Sequence, residues 1–207
     1  SIPLIPNKMN EVKGDGIEAI FSAKAFYDTV PFVLSTQATN DAKVVSAIHN
    51  LHTYKVPVHD SFTVRIKPTI TLSDADKEKV VMQLVSNKKV EVVKGNWSGD
   101  FMEAKFRDLG IVKLIKDTIQ PRISLGGWTN GGSLRNKKSF TVYATDNLGE
   151  LKTFSAYVDG KWLMFSRKAN SFIHTFDERV LPGVHQLHVR VEDVAGNITE
   201  REFKFSR

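Results

Sequence analysis

Histidine is the first residue type here that could do chemistry. His49-Asn-Leu-His52 sets two imidazoles at i,i+3, and His59 follows seven residues on. Three imidazoles in reach of one another could hold zinc. The usual helical zinc pair is i,i+4 with an interposed glutamate, whereas this segment reads as strand and turn. The competing expectation for His49, His52 and His59 is therefore surface or strand-edge histidine. His185 and His188 lie three apart on a predicted strand and face opposite ways, so they cannot chelate one ion together. His185 falls on the inward register and is expected to be a hydrogen-bonded edge histidine.

Two Asp-rich turns come next. Asp146-Asn-Leu-Gly149 and Asp193-Val-Ala-Gly-Asn197 could offer carboxylate and carbonyl oxygens to calcium. Neither has the alternating acidic ligands of an EF-hand, and an aspartate in such a turn more often bonds its own backbone N–H groups. The three tryptophans, Trp97, Trp128 and Trp162, could stack on sugar rings. Trp128 sits in Gly126-Gly-Trp-Thr-Asn-Gly-Gly132 and is the one expected to be exposed. Trp162 follows a hairpin and is expected in the core, as large aromatics usually are. Trp128, Asp146, Asp193 and Asn197 are thus the candidate ligand-binding residues. There is no Gly-x-Ser-x-Gly elbow and no phosphate loop.

Composition narrows the classes further. The 207 residues carry a formal charge of +6, no cysteine and 41% hydrophobic residues. Disulfide and thiolate chemistry are excluded. The positive excess is scattered, and its one tight cluster is Arg135-Asn-Lys-Lys138. Nucleic-acid binding needs a stripe of positive charge and is not expected. No apolar run is long enough for a membrane-spanning helix, and no signal peptide is visible. Ser1 is not a natural start, so the expectation is a mature or trimmed piece of a longer chain.

The elements that would position these residues are strands. Ile17, Ala19 and Phe21 alternate with polar residues, as do Phe62, Val64 and Ile66, then Met102, Ala104 and Phe106. Period-two alternation means one wet face and one buried face. Phe32–Leu34, Val80–Val85 and Ile111–Ile115 read as further strands. Val56–His59 reads as extended, and Lys24–Asp28 as a bend. Ser73-Asp-Ala-Asp-Lys-Glu78 is either a capped helical turn or a loop. Lys116–Pro121 then breaks the pattern, because Pro121 lacks a donor and holds Gln120 extended. Beyond it come short strands at Ile123, Phe140–Ala144 and Phe154–Val158. Asp159-Gly160 is a type I′ hairpin signal leading to Trp162–Phe165. Phe172–Phe176 follows, then a closing hairpin in which Leu187, Val189 and Val191 share one face and Gly196-Asn197 turns the chain. About seven strands in that half fit an immunoglobulin-like sandwich without the Cys-Trp-Cys core of antibody domains. The fold class expected is all-β: two tandem antiparallel β-sandwich domains, residues 1–117 and 118–207. Long edge strands make dimerisation or strand addition possible.

Taken in order, several segments make the chain resemble the non-catalytic C-terminal region of Bacteroidetes lysostaphin-type (LytM) zinc metallopeptidases. They are Ala25-Phe-Tyr-Asp28, Val56-Pro-Val-His59 with Phe62–Pro68, Arg107-Asp-Leu-Gly110, Lys116–Ile123, Val158-Asp-Gly-Lys-Trp162, and Pro182-Gly-Val-His185 through Asn197. Gln120 stands where that pattern has a second proline, and Asn147-Leu-Gly-Glu150 departs from its usual Ser-Gly-Ile. The catalytic half of such enzymes binds zinc through His-x-x-x-Asp and His-x-His, and neither motif occurs here. The resemblance implies a parent that cleaves peptidoglycan cross-links in the periplasm or on the cell surface. This piece would be its accessory region, without a cofactor, and its partners would be peptidoglycan or a preceding peptidase domain. The rival readings are a free-standing adhesin or glycan-binding module, and a metallohydrolase built on His49, His52 and His59.

Overall fold

In the computed structural model, which describes residues 1–207, every predicted alternation becomes a strand with its apolar side turned inward. The chain divides into two compact units, Ser1–Asp117 and Thr118–Arg207.

In the first unit the elements run β1 (Ile2–Leu4), β2 (Asn10–Gly14), β3 (Ile17–Phe21), β4 (Val30–Phe32), β5 (Leu34–Gln37), β6 (Ile48–Leu51) and β7 (Phe62–Ile66). They continue with α1 (Asp74–Lys77), β8 (Val80–Ser86), β9 (Lys89–Val93), β10 (Asn96–Ser98), β11 (Phe101–Phe106) and β12 (Ile111–Lys116). One five-stranded sheet has the order β10-β11-β7-β3-β2, the other β5-β6-β12-β8-β9, and β1 pairs with β4 alone. Ile17, Ala19 and Phe21 of the first sheet share a core with Val80, Met82, Leu84, Val112 and Leu114 of the second. That shared core makes the unit a sandwich. Phe21 is its aromatic centre, stacked on Phe62 at 4.8 Å and edge-on to Phe32 at 5.7 Å.

One local expectation is corrected here. Phe32–Leu34 is not one strand: the chain changes sheet at Val33, so β4 meets β1 while β5 meets β6. Val56–His59 lies between β6 and β7 and pairs in no sheet. The Ser73 alternative resolves to a helical turn, because its hydroxyl accepts the Asp76 N–H at 3.1 Å and caps α1.

The second unit holds β13 (Arg122–Gly126), β14 (Gly132–Ser133), β15 (Ser139–Thr145), β16 (Leu151–Val158), β17 (Lys161–Trp162), β18 (Ser166–Lys168), β19 (Ser171–Thr175), β20 (Val184–Asp193) and β21 (Ile198–Ser206). A four-stranded sheet, β13-β15-β19-β18, faces a five-stranded one, β14-β21-β20-β16-β17. Phe140, Val142 and Ala144 from one meet Ala156, Leu187, Val189, Val191 and Phe205 from the other. The unit is thus an antiparallel sandwich apart from the parallel β14–β21 pair, with nine strands where the sequence suggested about seven. The surplus comes from pieces of two or three residues, too short to show a period. The predicted pairing of Trp162–Phe165 ends with the Leu163 N–H on the Ala156 carbonyl at 2.9 Å, after which the chain leaves for the other sheet. The Asp159-Gly160 turn has positive φ at both residues, 49° and 79°, as a type I′ turn requires.

Candidate functional site

The hairpin register decides what the second unit shows to solvent. Ala156 and Val158 point into the core, so Tyr157 between them points out. The two-residue turn sets Trp162 directly opposite Tyr157. Tyr157 is in turn opposite His188, and His188 opposite Glu202. One row, Trp162–Tyr157–His188–Glu202, therefore crosses four strands, roughly 14 Å at the spacing of neighbouring strands. Trp162 is 57% exposed. Alongside runs a second row, Ser155–Arg190–Glu200.

The polar groups of this face hold one another flat. Glu200 takes His188 Nε2 at 3.2 Å through one oxygen and Arg190 Nε at 3.3 Å through the other. Gln186 Nε2 donates to Glu202 at 3.0 Å. Cross-strand pairs of this kind fix side-chain direction more than they add stability, since exposed ion pairs are individually worth little. The result is a wet sheet face with an aromatic end and an amide, imidazole, guanidinium and carboxylate end. At the turn below it, the Gln186 N–H donates to Asp159 Oδ1 at 2.9 Å, and His185 Nδ1 meets Asp159 Oδ2 at 2.7 Å. The Asp159 carboxyl is held below the usual range, first by the Gln186 N–H and then by His185.

The residues singled out from the sequence fall elsewhere. Trp128 is not exposed: it is half-buried against Phe140, Phe203 and Phe205, and its indole N–H donates to the Thr141 carbonyl at 2.9 Å. The expected roles of Trp128 and Trp162 are thus exchanged. The Gly-rich loop folds back over the open end of the core, while the hairpin turns Trp162 outward. Asp146, Asp193 and Asn197 do come together, a carboxylate oxygen of Asp146 lying within 4.8 Å of one of Asp193. Asp193 is buried and serves its own turn, accepting from Asn197 N and Asn197 Nδ2 at 2.8 Å each. Asp146 accepts the Leu148 N–H at 2.8 Å in the same fashion.

His49, His52 and His59 have separate partners. His49 is fully buried with Nδ1 at 2.8 Å from Thr36 Oγ1, and burial lowers its pKa to about 4 despite the Asp15 charge. His52 adopts φ 58°, and its Nδ1 accepts the Val33 N–H while its own N–H donates to the Val33 carbonyl. His59 stacks on Tyr27 at 3.8 Å. His185 is hydrogen-bonded at both nitrogens, the second to the Leu181 carbonyl at 2.6 Å.

Residues 3–117 match the family model of the Zu5-like domain. The chain belongs to the Zu5-like domain family. The Zu5-like match ends where the first compact unit ends, at Asp117. No curated protein matches the chain. Among solved structures, the chain is similar to an endo-β-1,4-mannanase from Thermotoga petrophila, at 14% identity over 44% of this chain and 20% of that one, with a TM-score of 0.36. It is also similar to fibronectin(III)-like modules of CbhA from Clostridium thermocellum, at 13% identity over 84% and 93%, TM-score 0.33. A third is the glycoside hydrolase domain of Endo-D from Streptococcus pneumoniae, at 10% over 86% and 36%, TM-score 0.29. The Zu5-like chain spans a fifth of the mannanase and about a third of the Endo-D chain.

Proposed function

We propose that this chain is a non-catalytic accessory region of a cell-envelope peptidoglycan metallopeptidase, and that it works by gripping the glycan of the wall. The observation that carries the glycan part is the outward-facing row of exposed Trp162 and half-buried Tyr157 continuing into Gln186, His188, Arg190, Glu200 and Glu202. A pyranose ring has an apolar C–H face and a polar hydroxyl rim. The first stacks on exposed aromatic rings. The second suits planar amide, carboxylate and guanidinium groups already fixed by their neighbours. A flat sheet face suits a long polymer, which needs no enclosing pocket, and both charge signs meet there, which suits a largely neutral sugar. The peptidase parent is supported by the ordered resemblance of the sequence segments to lysostaphin-type enzymes. The periplasm or cell surface is the compartment that goes with it.

Co-sedimentation with purified peptidoglycan sacculi tests the glycan part. The protein is expected to pellet with the sacculi, and Trp162→Ala with Tyr157→Ala to stay in the supernatant while remaining folded. Equal pelleting of the variant would sink the assignment to this face. The parent is tested separately, by sequencing the reading frame upstream of Ser1 for His-x-x-x-Asp and His-x-His.

A further inference from the structure

Along β21 the residues Thr199, Arg201, Phe203 and Phe205 occupy the side of the strand that faces the core. Thr199 and Phe205 are buried and Phe203 packs on the core, but Arg201 is exposed. Its cross-strand neighbour is Val189, which is completely buried. An arginine on a core-facing position contradicts the strand's own pattern, and such contradictions concentrate at functional sites. Arg201 reaches water because β14 pairs with β21 only at Phe205 and Ser206, so no strand pairs the edge beside residues 200–203. The free edge of β13 approaches from the other sheet and brings Arg122. Between them is a cleft of about 510 Å³ lined by Gln120, Arg122, Ser124, Thr145, Thr199 and Arg201, with Pro121 and Ile123 behind.

No carboxylate lines this cleft, and neither arginine is in an ion pair. Of the five other arginines of the unit four are engaged, and the fifth, Arg135, stands exposed in a turn outside the cleft. Arg179 is paired with Asp177, Arg190 with Glu192 and Glu200, Arg207 donates to backbone carbonyls, and Arg167 donates to the Ala169 carbonyl and lies over Phe172. Arg201 has only a long contact, 3.4 Å, to the Glu200 carbonyl. The neighbouring Glu200 and Glu202 project from the opposite face of the strand, where they pair with His188, Arg190 and Gln186. Two unpaired guanidiniums with the Ser124 and Thr145 hydroxyls and the Gln120 amide around them form a donor-rich cleft, while the Thr199 hydroxyl is taken by the Pro121 carbonyl at 2.6 Å. Guanidinium forks match oxyanions with two parallel hydrogen bonds.

We propose that the Arg122–Arg201 cleft is an oxyanion subsite that takes a carboxylate or phosphate carried on an acidic polymer. It is separate from the Trp162 face and does not depend on that reading.

Titration calorimetry of the whole chain tests it, with a galacturonate oligomer as the carboxylate probe, a glycerol-phosphate oligomer as the phosphate probe, and a neutral galactose oligomer of equal length. At least one acidic probe is expected to bind, more weakly as salt rises. Arg122→Gln and Arg201→Gln should each weaken that binding about tenfold, the loss typical of one charged hydrogen-bonding partner. Which probe responds tells carboxylate from phosphate. Arg135→Gln removes the same charge elsewhere on the unit and should change nothing. The subsite is overturned if neither acidic probe binds, if Arg135→Gln costs as much as Arg122→Gln, or if acidic binding is lost in Trp162→Ala instead. Should Arg201→Gln fail to fold, Arg122→Gln on the exposed edge strand carries the test alone. Loss of sacculus binding in the Trp162 variant with acidic-probe binding intact keeps the two sites distinct.

Discussion

Trp162 stands directly across from Tyr157, and both point away from the core because Ala156 and Val158 on either side of Tyr157 point into it. This relationship turns an apolar-looking hairpin into a solvent-facing aromatic strip. Removing either ring should therefore change binding and not folding. Trp162→Ala is expected to move stability by no more than about 0.5 kcal/mol, the range of ordinary surface substitutions. Trp128→Ala, which strips an indole from between Phe140, Phe203 and Phe205, should cost about 3 kcal/mol. Calorimetric melting of the two variants checks the contrast. A Trp162 variant as damaged as the Trp128 one would contradict the assigned exposures.

That exchange of roles also shows what was legible in the sequence. The alternations at Ile17–Phe21, Phe62–Ile66 and Leu187–Val191 define buried faces because burial repeats every second residue. The Asp159-Gly160 turn fixes which residues face each other across it. Outward Trp162 was derivable from those two facts together, since residue 157 is outward and a two-residue turn pairs it with residue 162. Trp128 was not derivable, because a glycine-rich loop has no period and its path is set by the Thr141 carbonyl on another strand. The carboxylates of Asp146 and Asp193 meet through pairings 47 positions apart in the chain, and no local pattern reports that. Arg201 was visible as an arginine in a Thr-x-Arg-x-Phe-x-Phe alternation, but its meaning needed the open edge beside it.

His49 makes the stability of the first unit pH-dependent. Its folded pKa is about 4, against an ordinary 6.5, because burial disfavours the imidazolium. The unfolded chain then binds more protons between those values, so stability rises with pH across the window. The contribution is complete above pH 6.5 and is lost progressively as pH falls to about 4. It amounts to about 3 kcal/mol at 1.36 kcal/mol per unit. His49→Gln should flatten the dependence of Tm on pH between 4 and 6.5. An unchanged slope would mean that other groups set it.

Gly110 is required by close approach and not by a special backbone angle. A Cβ there would lie 2.2 Å from the Val85 carbonyl oxygen and 2.9 Å from its carbon, both backbone atoms of the adjacent strand. Neither can swing aside as a flexible side chain would. Gly110→Ala should cost about 2–3 kcal/mol, as overpacking does, and urea unfolding of the variant measures it. Gly99, with open space around its missing Cβ and φ 59°, should lose only about 1 kcal/mol to the same change.

Asp193 ties the closing hairpin together. Its two oxygens accept from the backbone and side chain of Asn197, its N–H donates to the Asn197 carbonyl at 3.0 Å, and Asn197 Nδ2 also reaches the Ile119 carbonyl at 3.3 Å. The two bonds to the carboxylate are buried, so deleting it leaves donors without acceptors, at about 1–3 kcal/mol for each such group. Asp193→Ala should therefore lower the stability of the second unit by about 3 kcal/mol. Asp193→Asn should cost less, because its amide keeps one carbonyl acceptor. Amide hydrogen exchange of Asn197 reads the same event locally: protection should fall in Asp193→Ala and be largely kept in Asp193→Asn. Equal loss in both would mean that the negative charge of Asp193, and not its geometry as an acceptor, holds the turn.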